Sequence, residues 1–169
     1  MRLTGLAKLA LLGGAAIAAA PAAAADLSAP QRVAVFPIEL EDSSGEGPRA
    51  DQEHRLRLLD AELLDRLAQS GRYAPVAAAL PEGSPALRNC PRCELPVAKQ
   101  LGAELALHGV VNKVSNLILA LTLDLREVPS GELRAVWRAD FRGNTDESWQ
   151  RALRWLLRNR VLASPEPPR

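Results

Sequence analysis

The chain has 169 residues, 47% of them hydrophobic and 24% charged, with a formal net charge of +1. That balance suits a globular protein and excludes disordered, collagen-like and coiled-coil chains. Near-neutrality also denies the chain a long-range field for gathering nucleic acid or coating an anionic membrane.

Arg2 and Lys8 precede an apolar run from Leu9 to Ala20, and Ala23 and Ala25 form an A-x-A site. Residues 1–25 therefore read as a cleaved secretory signal. Its removal takes two basic and no acidic residues, leaving 19 basic against 20 acidic. No later apolar stretch reaches the roughly 18 residues needed to span a bilayer. No cysteine lies near the cleavage point and the leader lacks a twin arginine, so a soluble periplasmic protein, exported unfolded, is expected. A single domain should fill 26–163, and the Pro-rich tail 164–169 should be disordered.

The first strand is expected over Arg32–Leu40, where Val33, Val35, Phe36 and Ile38 are β-branched or aromatic. Glu41–Arg49 reads as a mobile acidic loop. From Asp51, Leu56, Leu59, Leu63 and Leu67 recur at helical spacing, supported by the pairs Asp51/Arg55, Glu53/Arg57 and Glu62/Arg66, and Gly71 closes the helix. Tyr73–Val76 is a brief strand broken by Pro75, and Ala77–Arg88 shows little periodicity. Val97–Leu101 reads as a short helix ending at Gly102, and Glu104–Val114 as a strand.

Next, Leu117, Leu119, Leu121, Leu123 and Leu125 share one strand face. The other face changes from Ile118 and Ala120 to Thr122, Asp124 and Arg126, so its first half is expected to be covered on both sides. Pro129, Ser130 and Gly131 make a turn into Leu133–Phe141, and charge matching sets Arg126 opposite Glu132, Asp124 opposite Arg134 and Leu121 opposite Trp137. Asn144 and Glu147 match a capping box, followed by an apolar stripe of Trp149, Ala152, Leu153, Leu156 and Leu157. The expected fold is α/β: one domain, a mixed parallel and antiparallel sheet, and helices packed on it.

Cys90 and Cys93 are the two cysteines of the chain, in a C-x-x-C. In an exported protein a local disulfide is the leading reading. A redox pair stays open, because a following helix and Arg88 and Arg92 would favour thiolate. Glu94 stands where haem attachment needs His, and His54 and His108 match no usual zinc spacing. Glu39, Glu41, Asp42 and Glu46 lack the ordered spacing of a calcium loop and read as solvated. No P-loop follows Gly45 and Gly47, and Ser43-Ser44-Gly45 is not a nucleophile elbow. No catalytic residue, metal ligand or cofactor is assigned. His108 reads as a structural imidazole facing a neighbouring strand. Arg142–Trp149 carries more specific residue types than a turn requires. Its first reading is structural, with Gly143 allowing the strand exit, Asn144 capping and Asp146 and Glu147 favouring the helix start; the alternative is a small polar binding site of Lys113, Ser115 and Asn116 together with Arg142, Asn144, Asp146 and Trp149, suited to a carboxylate ligand or a partner's loop.

Val33-Ala34-Val35-Phe36-Pro37-Ile38-Glu39, Asn89-Cys90 with Cys93-Glu94, Lys113 to Leu119, and Arg142-Gly143 through Trp149 resemble an uncharacterised family. It comprises short secreted proteins of Proteobacteria carrying a domain of unknown function, matched over about Val33 to Leu157. In outline it is similar to the N-terminal domain of TolB and to CsgG-like envelope domains. The resemblance implies a TolB N-terminal-like α/β domain used for assembly or binding, with no catalytic residue to carry over. Some relatives are encoded beside quinoprotein alcohol dehydrogenases, implying a periplasmic accessory role. Three functions follow as expectations: a non-catalytic domain binding a periplasmic protein partner, a thiol-disulfide protein using Cys90 and Cys93, or a carrier of a small ligand or metal.

Overall fold

The computed structural model describes residues 29–163, so the expected leader 1–25 and tail 164–169 lie outside the described residues. In chain order the elements are β1 Gln31–Val35, β2 Glu39–Asp42, α1 Ala50–Gln69, β3 Tyr73–Ala77, α2 Glu94–Gln100, β4 Leu105–Lys113, β5 Leu119–Glu127, β6 Leu133–Phe141 and α3 Asp146–Leu156. They form one mixed sheet in the order β3-β1-β4-β5-β6, with β2 beside β4 beyond the end of β1. β1 runs parallel to β3 and β4, whereas β4–β5 and β5–β6 are antiparallel. This is the expected α/β class: two crossovers feed the parallel half and a hairpin completes the rest.

The expected first strand is split in two, and both pieces follow the same side of β4. Val33 faces Leu105 and Glu39 faces Val110. Pro37 stands in the break, where it has no N–H for the ladder. The next amide, of Ile38, is taken by Asp60 of α1 at 2.8 Å. Pro75 is tolerated in β3 because that strand is an edge. α2 starts three residues earlier than expected, with Pro96 in its first turn, where a missing N–H costs nothing.

Through Leu125 the hairpin register differs by two residues from the charge-matched one, with Leu121 facing Ala139 and Asp124 facing Val136; past it Arg126 faces Leu133, one residue from the expected Glu132. A two-residue slip keeps every side chain on its face, so alternation alone could not detect it. A bulge at Leu125/Arg126 absorbs the difference, and Arg126 pairs with Glu94 of α2 at 3.0 Å. The helix cap also shifts by one. Thr145, not Asn144, caps α3 and forms the capping box with Ser148, not Glu147.

α1 and α3 cover one sheet face. Leu59, Leu63, Leu67, Trp149, Leu153 and Leu156 pack there against Val33, Leu107, Leu121 and Leu123. α2 covers a smaller part of the opposite face, over Ala34, Phe36 and Ala106. This second layer lies near the end of β5, not over its first half. Ile118, expected to be covered, is 59% exposed.

Gly109 marks the tightest point of the main core. A Cβ there would lie 2.8 Å from a methyl of Leu123 and 3.1 Å from Ile38, both buried. Gly109→Ala should destabilise the fold by about 1–3 kcal/mol through overpacking. Leu117→Ala, at a 65% exposed position, should stay within about 0.5 kcal/mol. Urea denaturation of both variants checks this.

Candidate functional site

The carboxyl ends of β2, β4 and β6, the amino ends of α1 and α3, and the bend between β4 and β5 converge at one end of the sheet. In open α/β sheets this is the end where binding sites form. The inward row of β4, Leu105, Leu107, Gly109 and Val111, finishes on Lys113, whose side chain is fully buried. Its ammonium has three N–H donors, and three acceptors meet it: Asp42 Oδ2 at 3.0 Å, Ser44 Oγ at 2.9 Å and Glu46 Oε2 at 2.7 Å.

From this ion the contacts run outward in two directions. Asp42 accepts from Gln52 of α1 at 2.9 Å and from the Ser44 amide at 2.8 Å. Glu46 accepts from Asn116 at 2.6 Å, and Asn116 accepts in turn from Asn144 at 2.8 Å. The Asn144 oxygen receives both Trp149 Nε1 at 3.0 Å and Arg55 at 3.2 Å. Arg55 also pairs with Asp146 at 2.9 Å and Asp51 at 3.0 Å, and lies over the Trp149 ring. Phe141 meets that ring edge-on. The Ser148 hydroxyl donates to the Gly143 carbonyl, locking the turn in which Gly143 takes a φ of 90° that only glycine adopts freely.

Burial alone would push the Asp42 carboxyl up, but hydrogen bonds from Ser44, Lys113 and Gln52 outweigh it and hold it well below the usual carboxylate range. The Lys113 and Asn116 bonds likewise lower Glu46. Burial acts against the charge on Lys113, and its two carboxylates more than restore it, so its pKa is raised.

Of the residues singled out in the sequence, Lys113, Asn116, Asn144, Asp146 and Trp149 meet in this network. Ser115 lies beside it, its hydroxyl accepting the amides of Leu117 and Ile118 at 3.2 Å each and so shaping the bend. Arg142 points elsewhere, lining a groove of about 310 Å³ with Val114, Leu117 and Ile118. Asp42, Glu46, Gln52 and Arg55 were not recognised as members. The acidic loop is also not simply solvated: Asp42 and Glu46 hold Lys113, and Glu39 accepts the Leu87 and Arg88 amides. Lys113 itself was the available signal, since an ammonium in an inward row demands a carboxylate.

Cys90 and Cys93, at the start of α2 beyond the far end of β4, lie at disulfide-bonding distance with Cα atoms 5.6 Å apart. His108 faces Asp124 across β4 and β5, and burial pushes the Asp124 carboxyl up. No group of three or more His, Cys, Asp and Glu among the described residues could hold a metal ion. No helix among them is long and apolar enough to cross a membrane.

The architecture is that of a small α/β domain whose polar residues at the carboxyl end of the sheet are bound to one another. The chain belongs to the family described as Protein of unknown function (DUF2380), whose model matches residues 31–161. No curated protein matches it. Among solved structures, it is similar to the PelC dodecamer from Paraburkholderia phytofirmans, at 14% identity and a TM-score of 0.53, covering 77% of this chain and 88% of that one. It is also similar to the LpoB C-terminal domain from Salmonella enterica, at 18% identity and a TM-score of 0.49, covering 69% and 86%. A third likeness is to lipoprotein GNA1162 from Neisseria meningitidis, at 15% identity and a TM-score of 0.47, covering 70% and 85%.

Replacing Lys113 by Met leaves two carboxylates facing each other without their cation and should destabilise the fold at neutral pH, seen as a lower denaturation midpoint. Both carboxylates have lowered folded pKa values, so their contribution is present above the ordinary carboxylate range and lost as pH falls through it and below. The stability gap between the wild type and Lys113→Met should therefore narrow as pH drops below about 4. Denaturation series at neutral and acid pH measure that gap.

Proposed function

We propose that this protein is a non-catalytic periplasmic binding domain of the cell envelope, and that it meets a protein partner with the bend between β4 and β5. The observation that carries this reading is the contrast between the two sides of the bend. Behind it, the charged groups of the network are bonded to one another. In front, Val114, Leu117 and Ile118 are 55%, 65% and 59% exposed, three large apolar side chains on five consecutive residues.

An apolar patch of this kind marks an interaction site more often than a random surface does. The Ser115 turn and the Asn116–Glu46 bond fix the bend in place, so little ordering entropy is lost on binding. Arg142, beside the same groove, supplies a polar rim. The secretory reading of residues 1–25 supports the periplasm as the compartment. The likeness to TolB N-terminal and CsgG-like domains stated above supports an accessory role, for which a quinoprotein dehydrogenase system is one setting.

Capture of the tagged, exported protein from its host should recover a stoichiometric envelope partner. Leu117→Asp should reduce recovery at least about tenfold with an unchanged melting temperature, as expected for a central apolar contact. Undiminished recovery by that variant, or no stoichiometric partner under gentle conditions, would refute the assignment.

A further inference from the structure

We propose that the outer edge of β6 pairs antiparallel with β6 of a second copy of this chain, centred on Ala139. The strands at the two ends of the main strand order, β3 and β6, are built differently. β3 has five residues with Pro75, which has no N–H to offer, at its middle. β6 has nine residues without Pro or Gly. An edge of that length is a ready template for another strand. The bulge at its start confines regular pairing to the stretch from Ala135 onward.

Side-chain charge selects the register. With Ala139 facing Ala139 of the second copy, Arg138 stands opposite that copy's Asp140, and Asp140 opposite its Arg138. Trp137 then lies across from Phe141. Shifting the centre to residue 138 sets Arg138 against Arg138. Shifting it to residue 140 sets Asp140 against Asp140 and Arg138 against Arg142. Opposite charges at directly facing positions stabilise a strand pair and like charges oppose it. Half-step registers would turn helix-facing side chains onto the other sheet face. Of these three centres, residue 139 alone sets opposite charges face to face.

In the single chain Arg138 and Asp140 are bonded to each other at 3.0 Å, with side chains 56% and 76% exposed, so both are accessible for exchange. A groove of about 590 Å³ between this edge and Trp155, Ala152 and Arg151 of α3 leaves room alongside the strand, and Trp155 is 42% exposed. A two-fold pairing uses the same edge on both copies, so association stops at a dimer. The groove at the bend borders this edge through Arg138, Asp140, Phe141 and Arg142, whereas Leu117 lies outside the strand pair, so Leu117→Asp tests the envelope partner without touching the β6 register.

Sedimentation equilibrium of the exported protein over a concentration series tests the register through charge exchange. The wild type should dimerise. Arg138→Asp and Asp140→Arg should each weaken dimerisation at least about tenfold, by facing like charges twice across the pair. The double variant should recover wild-type association. An equimolar mixture of the two single variants should form a heterodimer, because each then faces the opposite charge. The mixture also serves as the folding control, since unfolded single variants would not associate. A monomeric wild type, or association that ignores these four combinations, overturns the proposal and leaves the edge to another occupant such as a partner's extended strand.

Discussion

The buried ammonium of Lys113 is the constraint around which one whole end of the molecule is arranged. A charge removed from water must be met by groups that satisfy all its donors, and an incomplete set would be strongly unfavourable. β4 delivers this charge at the end of an otherwise apolar row, so the segment after β2 has to fold back over it with Asp42, Ser44 and Glu46. That loop then sets the start of α1 through Gln52 and reaches the β4–β5 bend through Asn116. Asn144 closes the circuit to α3 through Trp149 and Arg55. The loop after β2, the β4–β5 bend and the turn into α3 are held in register by one ion and its relays.

What was legible in the sequence follows from the range of the forces involved. The α1 stripe of Leu59, Leu63 and Leu67, the alternation of β5 and the Gly131 turn are local patterns, and the elements they imply are present. The split of β1 from β2 depends on how β4 accommodates Pro37, which no local window reports. The register of β5 and β6 depends on a bulge and on Arg126 finding Glu94, 32 residues away in sequence. The site was legible in half. Arg142–Trp149 and Lys113–Asn116 stood out by residue type, whereas Asp42 and Glu46 looked like solvated loop carboxylates. Their partner lies about 70 residues on, and only the inward parity of Lys113 hinted at the need for them.

The same parity argument separates residues that serve the fold from residues that do not. Gln52 and Arg55 begin the stripe that Leu59, Leu63 and Leu67 continue, and all are buried. Their polarity is explained by the network they enter. Val114, Leu117 and Ile118 have no such explanation: the layer that covers Ala34, Phe36 and Ala106 ends at the opposite side of the sheet. Stability would be served as well by polar residues on the bend, which Ser115 and Asn116 already shape with their side chains. Apolar groups held in water at a fixed position cost solubility and contribute nothing to the core. Their presence beside a polar network whose ions pair with one another is what the proposed docking on the bend rests on, with the ions behind it holding that bend in position.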